Sequence, residues 1–229
     1  SFIIVWQSRE NYSWKAKGQK FNDDGSKNGE EFSIVSQQYD SFEDLSTTAL
    51  SNGNYVIAFR HHSNIKFQII KTDSIVDQFS VYNETIEQVN KNTDSKSQPV
   101  VSPLNNGGFV ISWSSYRQDG DQWGVFARTY NSEGIASSEE FQVNTTTTDR
   151  QQNSSVAGLV DGGFVISWQS HNQDGNGDGV YAQRFDEKGD MVGGEFLVNT
   201  STNSTQSEPS VAALKNGGYI ITWNSWEGI

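Results

Sequence analysis

An apolar strand closed by an aromatic residue returns through this chain at a nearly constant interval. It occupies residues 2–6, 55–59, 109–113, 164–168 and 219–223 and ends on Trp6, Phe59, Trp113, Trp168 and Trp223. The closing positions are separated by 53, 54, 55 and 55 residues. A period of this length means that one supersecondary unit is stacked several times, each copy burying its apolar face on the next. The chain is therefore an array of repeats rather than one irregular domain.

Each unit carries four short strand signals. In the fourth copy they are residues 156–159, 164–168, 180–185 and 195–198. The turn Val160-Asp161-Gly162-Gly163 joins the first two, and Asn52-Gly53, Asn106-Gly107 and Asn216-Gly217 stand at the same place elsewhere. An Asn-Gly or Asp-Gly pair between apolar runs signals a hairpin in which both turn residues tolerate positive φ. The second copy is the least regular, with 66–70 and 79–82 in the third and fourth strand places. Nothing reads as a helix.

Period-two spacing sends Phe164, Ile166 and Trp168 to one face of their strand and Val165 and Ser167 to the other. A bulky face opposite a small one suits a sheet covered on both sides. The expected fold is therefore all-β, built from four-stranded antiparallel sheets and β-propeller-like, as blades of a ring or as sheets in an open array. The units divide as 1–44 (a partial first repeat), 45–98, 99–154, 155–209 and 210–229 (the start of a further repeat), and Ser1 reads as falling inside a repeat of a longer chain.

The 229 residues carry a net charge of -12, which opposes tracking along a phosphate backbone and sets nucleic acid aside as a partner. There is no cysteine, so neither disulfides nor a thiolate metal site can hold the sheets. No apolar run approaches the roughly 18 residues of a membrane helix, and no membrane insertion is expected of this segment.

The unit contains Asp161-Gly-Gly-Phe-Val-Ile-Ser-Trp-Gln-Ser170, Gln173-Asp-Gly, Gly179-Val-Tyr-Ala-Gln-Arg-Phe-Asp186, Gly193-Gly-Glu-Phe-Leu-Val-Asn-Thr200 and Ser210-Val-Ala-Ala-Leu214. In this form it resembles the repeat of large secreted and surface adhesin-like proteins, strongly over residues 98–226 and loosely over 1–97. The resemblance implies propeller-like sheets, an extracellular or cell-surface address and a structural or adhesive role without catalytic residues.

Asn-x-Ser/Thr sequons stand at Asn11, Asn83, Asn144, Asn153, Asn199 and Asn203, and five of them fall on the long loops between sheets. N-linked glycans along one rim are the expectation, given a secretory source. Asp174, Asn176 and Asp178 form an Asp-x-Asn-x-Asp-Gly run with the alternating oxygen ligands of a calcium loop, although position twelve is Phe185 instead of Glu. Calcium is the metal this pattern admits, and no cofactor is required.

The opening strand with Phe2, Ile4 and Trp6 lacks the hairpin partner of later copies, while Val211, Tyr219, Ile221 and Trp223 belong to a hairpin without following strands. An unpaired strand edge recruits another strand, so self-association by strand addition is expected. The sequence thus favours a non-enzymatic, glycosylated extracellular protein of structural or adhesive type, in its most specific form a subunit of a head-to-tail filament. A lectin-type propeller is the alternative, with Trp14, Trp123 and Trp226 as sugar-stacking aromatics and surface glycans as partners. A glycan-processing hydrolase is the remoter alternative, since His61, His62 and His171 all fall in the loop after the aromatic-closed strand, the His61-His62 pair without a clustered carboxylate nearby, and the six arginines are scattered through different repeat positions.

Overall fold

The computed structural model describes residues 1–10, 13–34, 42–71, 87–91 and 94–226. They form five consecutive antiparallel sheets and contain no helix. Sheet I comprises β1 (Phe2–Glu10), β2 (Ser13–Phe21) and β3 (Lys27–Ser33), and sheet II comprises β4 (Glu43–Ala49), β5 (Tyr55–His61), β6 (Asn64–Ile70) and β7 (Glu87–Gln88). Sheet III holds β8 (Lys96–Pro103), β9 (Phe109–Tyr116), β10 (Trp123–Tyr130) and β11 (Phe141–Gln142). Sheet IV holds β12 (Gln151–Gly158), β13 (Phe164–His171), β14 (Asp178–Phe185) and β15 (Met191–Leu197), and sheet V holds β16 (Thr205–Ala213) and β17 (Tyr219–Trp226). Strands within each sheet lie in sequence order, as tight turns dictate. The fold is all-β and propeller-like. Residues 79–82, expected as a strand, lie outside the described residues.

The hairpin turns differ from expectation in one detail. Gly53, Gly107, Gly162 and Gly217 have φ between 86° and 94°, but the Asn or Asp before each does not adopt positive φ. Its side chain acts instead: Asn106 Oδ1 accepts from Gly108 N at 2.9 Å and Asp161 Oδ1 from Gly163 N at 3.1 Å. The motif selects an Asx turn closed by a left-handed glycine, which is why Asn and Asp interchange there.

Sheets pack bulky face to small face. Phe164, Ile166 and Trp168 of β13 lie in one cluster with Val110 of β9, Val125 and Ala127 of β10, and Val143. Phe109, Ile111 and Trp113 pack in the same way on Val56 and Ala58 of β5. Trp113 and Trp168 are fully buried, as alternation on a doubly covered strand requires.

The first strands β4, β8, β12 and β16 run beside one another and form the hub. Each is an edge strand of its sheet, with N–H groups that its own ladder leaves unused. Serine hydroxyls stitch neighbouring hub strands together. Val101 N donates to Ser46 Oγ, Gly158 N to Ser102 Oγ and Val211 N to Ser155 Oγ, each at 3.1 Å.

Candidate functional site

Every described hub strand is interrupted at the same register. The ladder skips between Glu43 and Ser46, Ser97 and Val100, Gln152 and Ser155, and Ser207 and Ser210. These are β-bulges, and the bulged residue is in each case polar with left-handed backbone: Asp44 (φ 53°), Gln98 (54°), Asn153 (56°) and Glu208 (52°). Such a conformation costs a non-glycine residue about 1–3 kcal/mol and persists where the surroundings impose it, commonly at functional sites. Pro99 and Pro209 follow two of the bulges, where an edge strand tolerates the missing N–H.

The bulge residues are joined across sheets. Gln98 N donates to Asp44 Oδ2 at 3.2 Å, and Arg60 Nε reaches the same oxygen at 2.9 Å. Gln98 Nε2 donates to Asn153 Oδ1, and Asn153 N returns a bond to Gln98 Oε1 at 3.3 Å. Gln169 of β13 accepts from Asn153 Nδ2 at 2.9 Å and from Glu208 N at 3.5 Å, then donates to Asp178 Oδ2 at 2.8 Å. Asp178 Oδ1 meets His171 Nδ1 at 2.8 Å and Arg150 at 3.3 Å. Glu208 Oε2 accepts from Asn224 Nδ2 at 2.7 Å. Gln98, Asn153, Ser154, Glu208 and Pro209 line an open depression of about 320 Å³. This array of carboxylates and amides on a strained, repeated backbone is the candidate site. Its sequence signal is a polar residue recurring 54 or 55 positions apart at 44, 98, 153 and 208, hidden by the four different side chains.

Two of the sequons are buried rather than displayed on a rim. Asn144 and Asn199 are only 1% and 3% exposed. Asn144 Nδ2 donates to Thr146 O at 2.8 Å and to Gln151 Oε1 at 3.3 Å, and Asn199 Nδ2 repeats this with Ser201 O at 2.9 Å and Gln206 Oε1 at 3.2 Å. A nitrogen engaged in that way inside the protein leaves no room for a glycan, so these two positions are corrected to structural asparagines. Asn90 is their counterpart in sheet II, not Asn83. Asn153 belongs to the hub network, Asn203 is exposed, and Asn11 and Asn83 lie outside the described residues.

The three residues of the calcium pattern diverge. Asp174 faces Asn199 and the Asn176 N–H, at 3.5 and 3.3 Å, Asn176 is exposed, and Asp178 turns inward to Gln169, His171 and Arg150. Among the described residues no three His, Cys, Asp or Glu side chains converge as a metal would need. Beside the loop, Tyr181 is pushed up to about 12 by burial, with Asp174 and Glu195 adding to the effect.

Of the residues singled out for self-association, Val211, Tyr219 and Ile221 pack on sheet IV with Ala157, Leu159 and Val165. Phe2 stacks on Phe21 at 5.2 Å, and Phe2, Ile4 and Trp223 are exposed while Trp6 is half-buried. Within the described residues β1 pairs with β2 alone and β17 with β16 alone.

No family model matches the sequence, and no curated protein matches it. The fold has clear counterparts among solved structures. One is an endo-arabinase from Bacteroides thetaiotaomicron VPI-5482, with a TM-score of 0.53 at 11% identity over 97% of this chain and 84% of that one. Another is a protein of unknown function from Dyadobacter fermentans DSM 18053, with a TM-score of 0.58 at 10% identity over 96% and 71%. A third is an endo-1,4-beta-xylanase from Bacteroides thetaiotaomicron VPI-5482, with a TM-score of 0.50 at 10% identity over 96% and 82%. At such identities the likeness concerns the fold.

It nevertheless overturns the functional expectation. A repeat made of turns and core positions had pointed to a non-enzymatic structural or adhesive protein, a filament subunit in its most specific form. A similar fold occurs in an endo-arabinase and an endo-1,4-beta-xylanase, so the repeat is no argument against catalysis.

Proposed function

We propose that this chain is a glycan-processing hydrolase whose reaction takes place at the hub. The observation that carries the reading is the bulge row: Asp44, Gln98, Asn153 and Glu208 share one register and are linked by hydrogen bonds, directly or through Gln169, and the last three border an open depression. The fold's occurrence in an endo-arabinase and an endo-1,4-beta-xylanase supports it.

Glycosidic bonds are cleaved by two carboxyl groups, one giving a proton to the leaving oxygen while the other activates water or attacks the anomeric carbon. We assign the proton donor to Glu208, which is exposed beside the depression and held by Asn224. The second carboxylate is assigned to Asp44, which Arg60 and the Gln98 N–H hold one bulge beyond the depression's edge. Gln98 and Asn153 supply amides for sugar hydroxyls. Extended polysaccharides are met outside cells, so the proposal includes the extracellular or surface address implied by the repeat.

The test is release of reducing sugar from arabinan- and xylan-derived oligosaccharides by the wild-type protein, Glu208→Gln and Asp44→Asn. Each variant is expected to lose at least about a hundredfold in turnover, the usual scale of a general acid or base. Variants that turn over as fast as wild type would defeat the assignment. Binding without turnover in the wild-type protein would make the hub a carbohydrate-binding site instead.

A further inference from the structure

Three residues beyond the closing aromatic, sheets III and IV place a side chain at the mouth of the hairpin between their second and third strands, and sheet V places one at the end of β17. Tyr116, His171 and Trp226 occupy this register in sheets III, IV and V, at intervals of 55. Their backbone confirms the equivalence: Tyr116 N bonds Ser95 O at 2.9 Å, His171 N bonds Arg150 O at 3.0 Å, and Trp226 pairs with Thr205. Trp123 lies directly opposite Tyr116 across the ladder, with ring centroids 5.3 Å apart and planes inclined at 55°. The exposed Arg117 guanidinium lies 5.1 Å from the Tyr116 centroid. Tyr116 and Trp123 are half-buried, and Trp226 is 72% exposed.

Large rings at a solvent-facing rim forgo burial that the core could have supplied. Aromatic residues in such places contribute an apolar face with a polar edge, the combination that fits the C–H face and hydroxyl rim of a pyranose or furanose. The position lies at the end of the strand that carries Gln169, and Ser115, next to Tyr116, pairs with Lys96 at the start of the bulged strand β8. The rings and the hub depression therefore share one rim.

We propose that Tyr116 with Trp123, His171 and Trp226 form a stacking track that holds an extended neutral glycan chain outside the hub. The net charge of -12 disfavours an anionic chain, and rings recurring at one register in three successive sheets favour a polymer over a single sugar. This inference rests on the hub acting on glycans, yet it fails separately.

The experiment compares the wild-type protein with Trp226→Ala and the double variant Tyr116→Ala/Trp123→Ala. Affinity electrophoresis in linear arabinan and in xylan reads polymer binding, hydrolysis of a short aryl arabinofuranoside or aryl xyloside reads the hub, and thermal melting reads the fold. The expected result is a weakening of polymer binding of about tenfold in each variant, equivalent to about 1.4 kcal/mol. Short-substrate turnover and melting of Trp226→Ala are expected to stay at wild-type levels. Wild-type polymer affinity in both variants overturns the track, as does a wild-type protein that binds neither polymer or binds only proline-rich peptide. Polymer binding that the variants lose, in a protein without hydrolytic activity, would sustain the track while defeating the hub reaction.

Discussion

Asn144 Oδ1 accepts a hydrogen bond from the Val125 backbone at 2.7 Å, and Asn199 Oδ1 accepts one from Val180 at the same distance. Asn90 does so from Ile65 at 2.8 Å. In each sheet the asparagine ties the start of the third strand to the loop that leads to the next sheet. Asn144→Ala leaves the Val125 N–H buried without its acceptor and is expected to cost about 1–3 kcal/mol. Denaturant unfolding measures this. Peptide mass analysis of secreted protein is expected to show Asn144 unmodified; a glycan there, or an Asn144→Ala variant as stable as wild type, would refute the burial argument.

Trp168 is fully buried between β13 and the small face of sheet III. Truncation to Ala is expected to cost about 3–5 kcal/mol. Trp168 Nε1 has no hydrogen-bond partner among the described residues. Trp168→Phe should accordingly cost well under half the Ala penalty, because the lost nitrogen takes no bond with it. Equal losses for the two variants in urea unfolding would contradict this account.

The repeat, the strand phasing and the bulky-to-small packing were legible in the sequence because each depends on local pattern. Phe164, Ile166 and Trp168 announce a covered strand by alternation alone, and Asp161-Gly162 announces its turn. The candidate site was not legible. Asp44, Gln98, Asn153 and Glu208 mix carboxylates with amides and no two are the same residue, so only the bulges make them equivalent. The asparagines misled for a related reason. Asn144-Thr-Thr and Asn199-Thr-Ser satisfy a glycosylation pattern, whereas their burial depends on Gln151 and Gln206 of the following strand. Matching Asn83 with them failed because Asn90 makes the equivalent bond in sheet II. The Asp174, Asn176 and Asp178 spacing suits a calcium loop, but β14 begins at Asp178 and turns that carboxylate inward.

At Gly158 two hub strands approach closely. A Cβ there would lie 2.1 Å from the Pro103 carbonyl oxygen, a backbone atom that cannot swing aside. Gly158→Ala must push β12 away from β8 and break the bond from Gly158 N to Ser102 Oγ. A loss of more than about 2 kcal/mol is expected, in the range of overpacking plus a broken buried hydrogen bond. Unchanged melting would mean that the hub strands are not in contact there.

Lys96 is 2% exposed at the position that Gln151 and Gln206 occupy in the next two sheets. Its Nζ donates to Asp94 O at 2.9 Å, as Gln151 Nε2 does to Thr148 O and Gln206 Nε2 to Asn203 O. Burial pulls its pKa below the ordinary lysine value, and the nearby Asp94 and Glu140 charges offset part of that. The unfolded chain keeps its proton up to about pH 10.4, whereas the folded chain releases it earlier. Between those two values the unfolded state binds more protons, so this residue makes stability rise with pH there and lowers it uniformly at more acidic pH. Lys96→Gln, which can make the same bond to the loop without a charge, is therefore expected to raise the melting temperature at pH 7 and to flatten its rise over the alkaline interval below the ordinary lysine value. Melting curves of the two proteins across that interval decide the matter, and parallel profiles with no gain at pH 7 would show that the ammonium is as well solvated folded as unfolded.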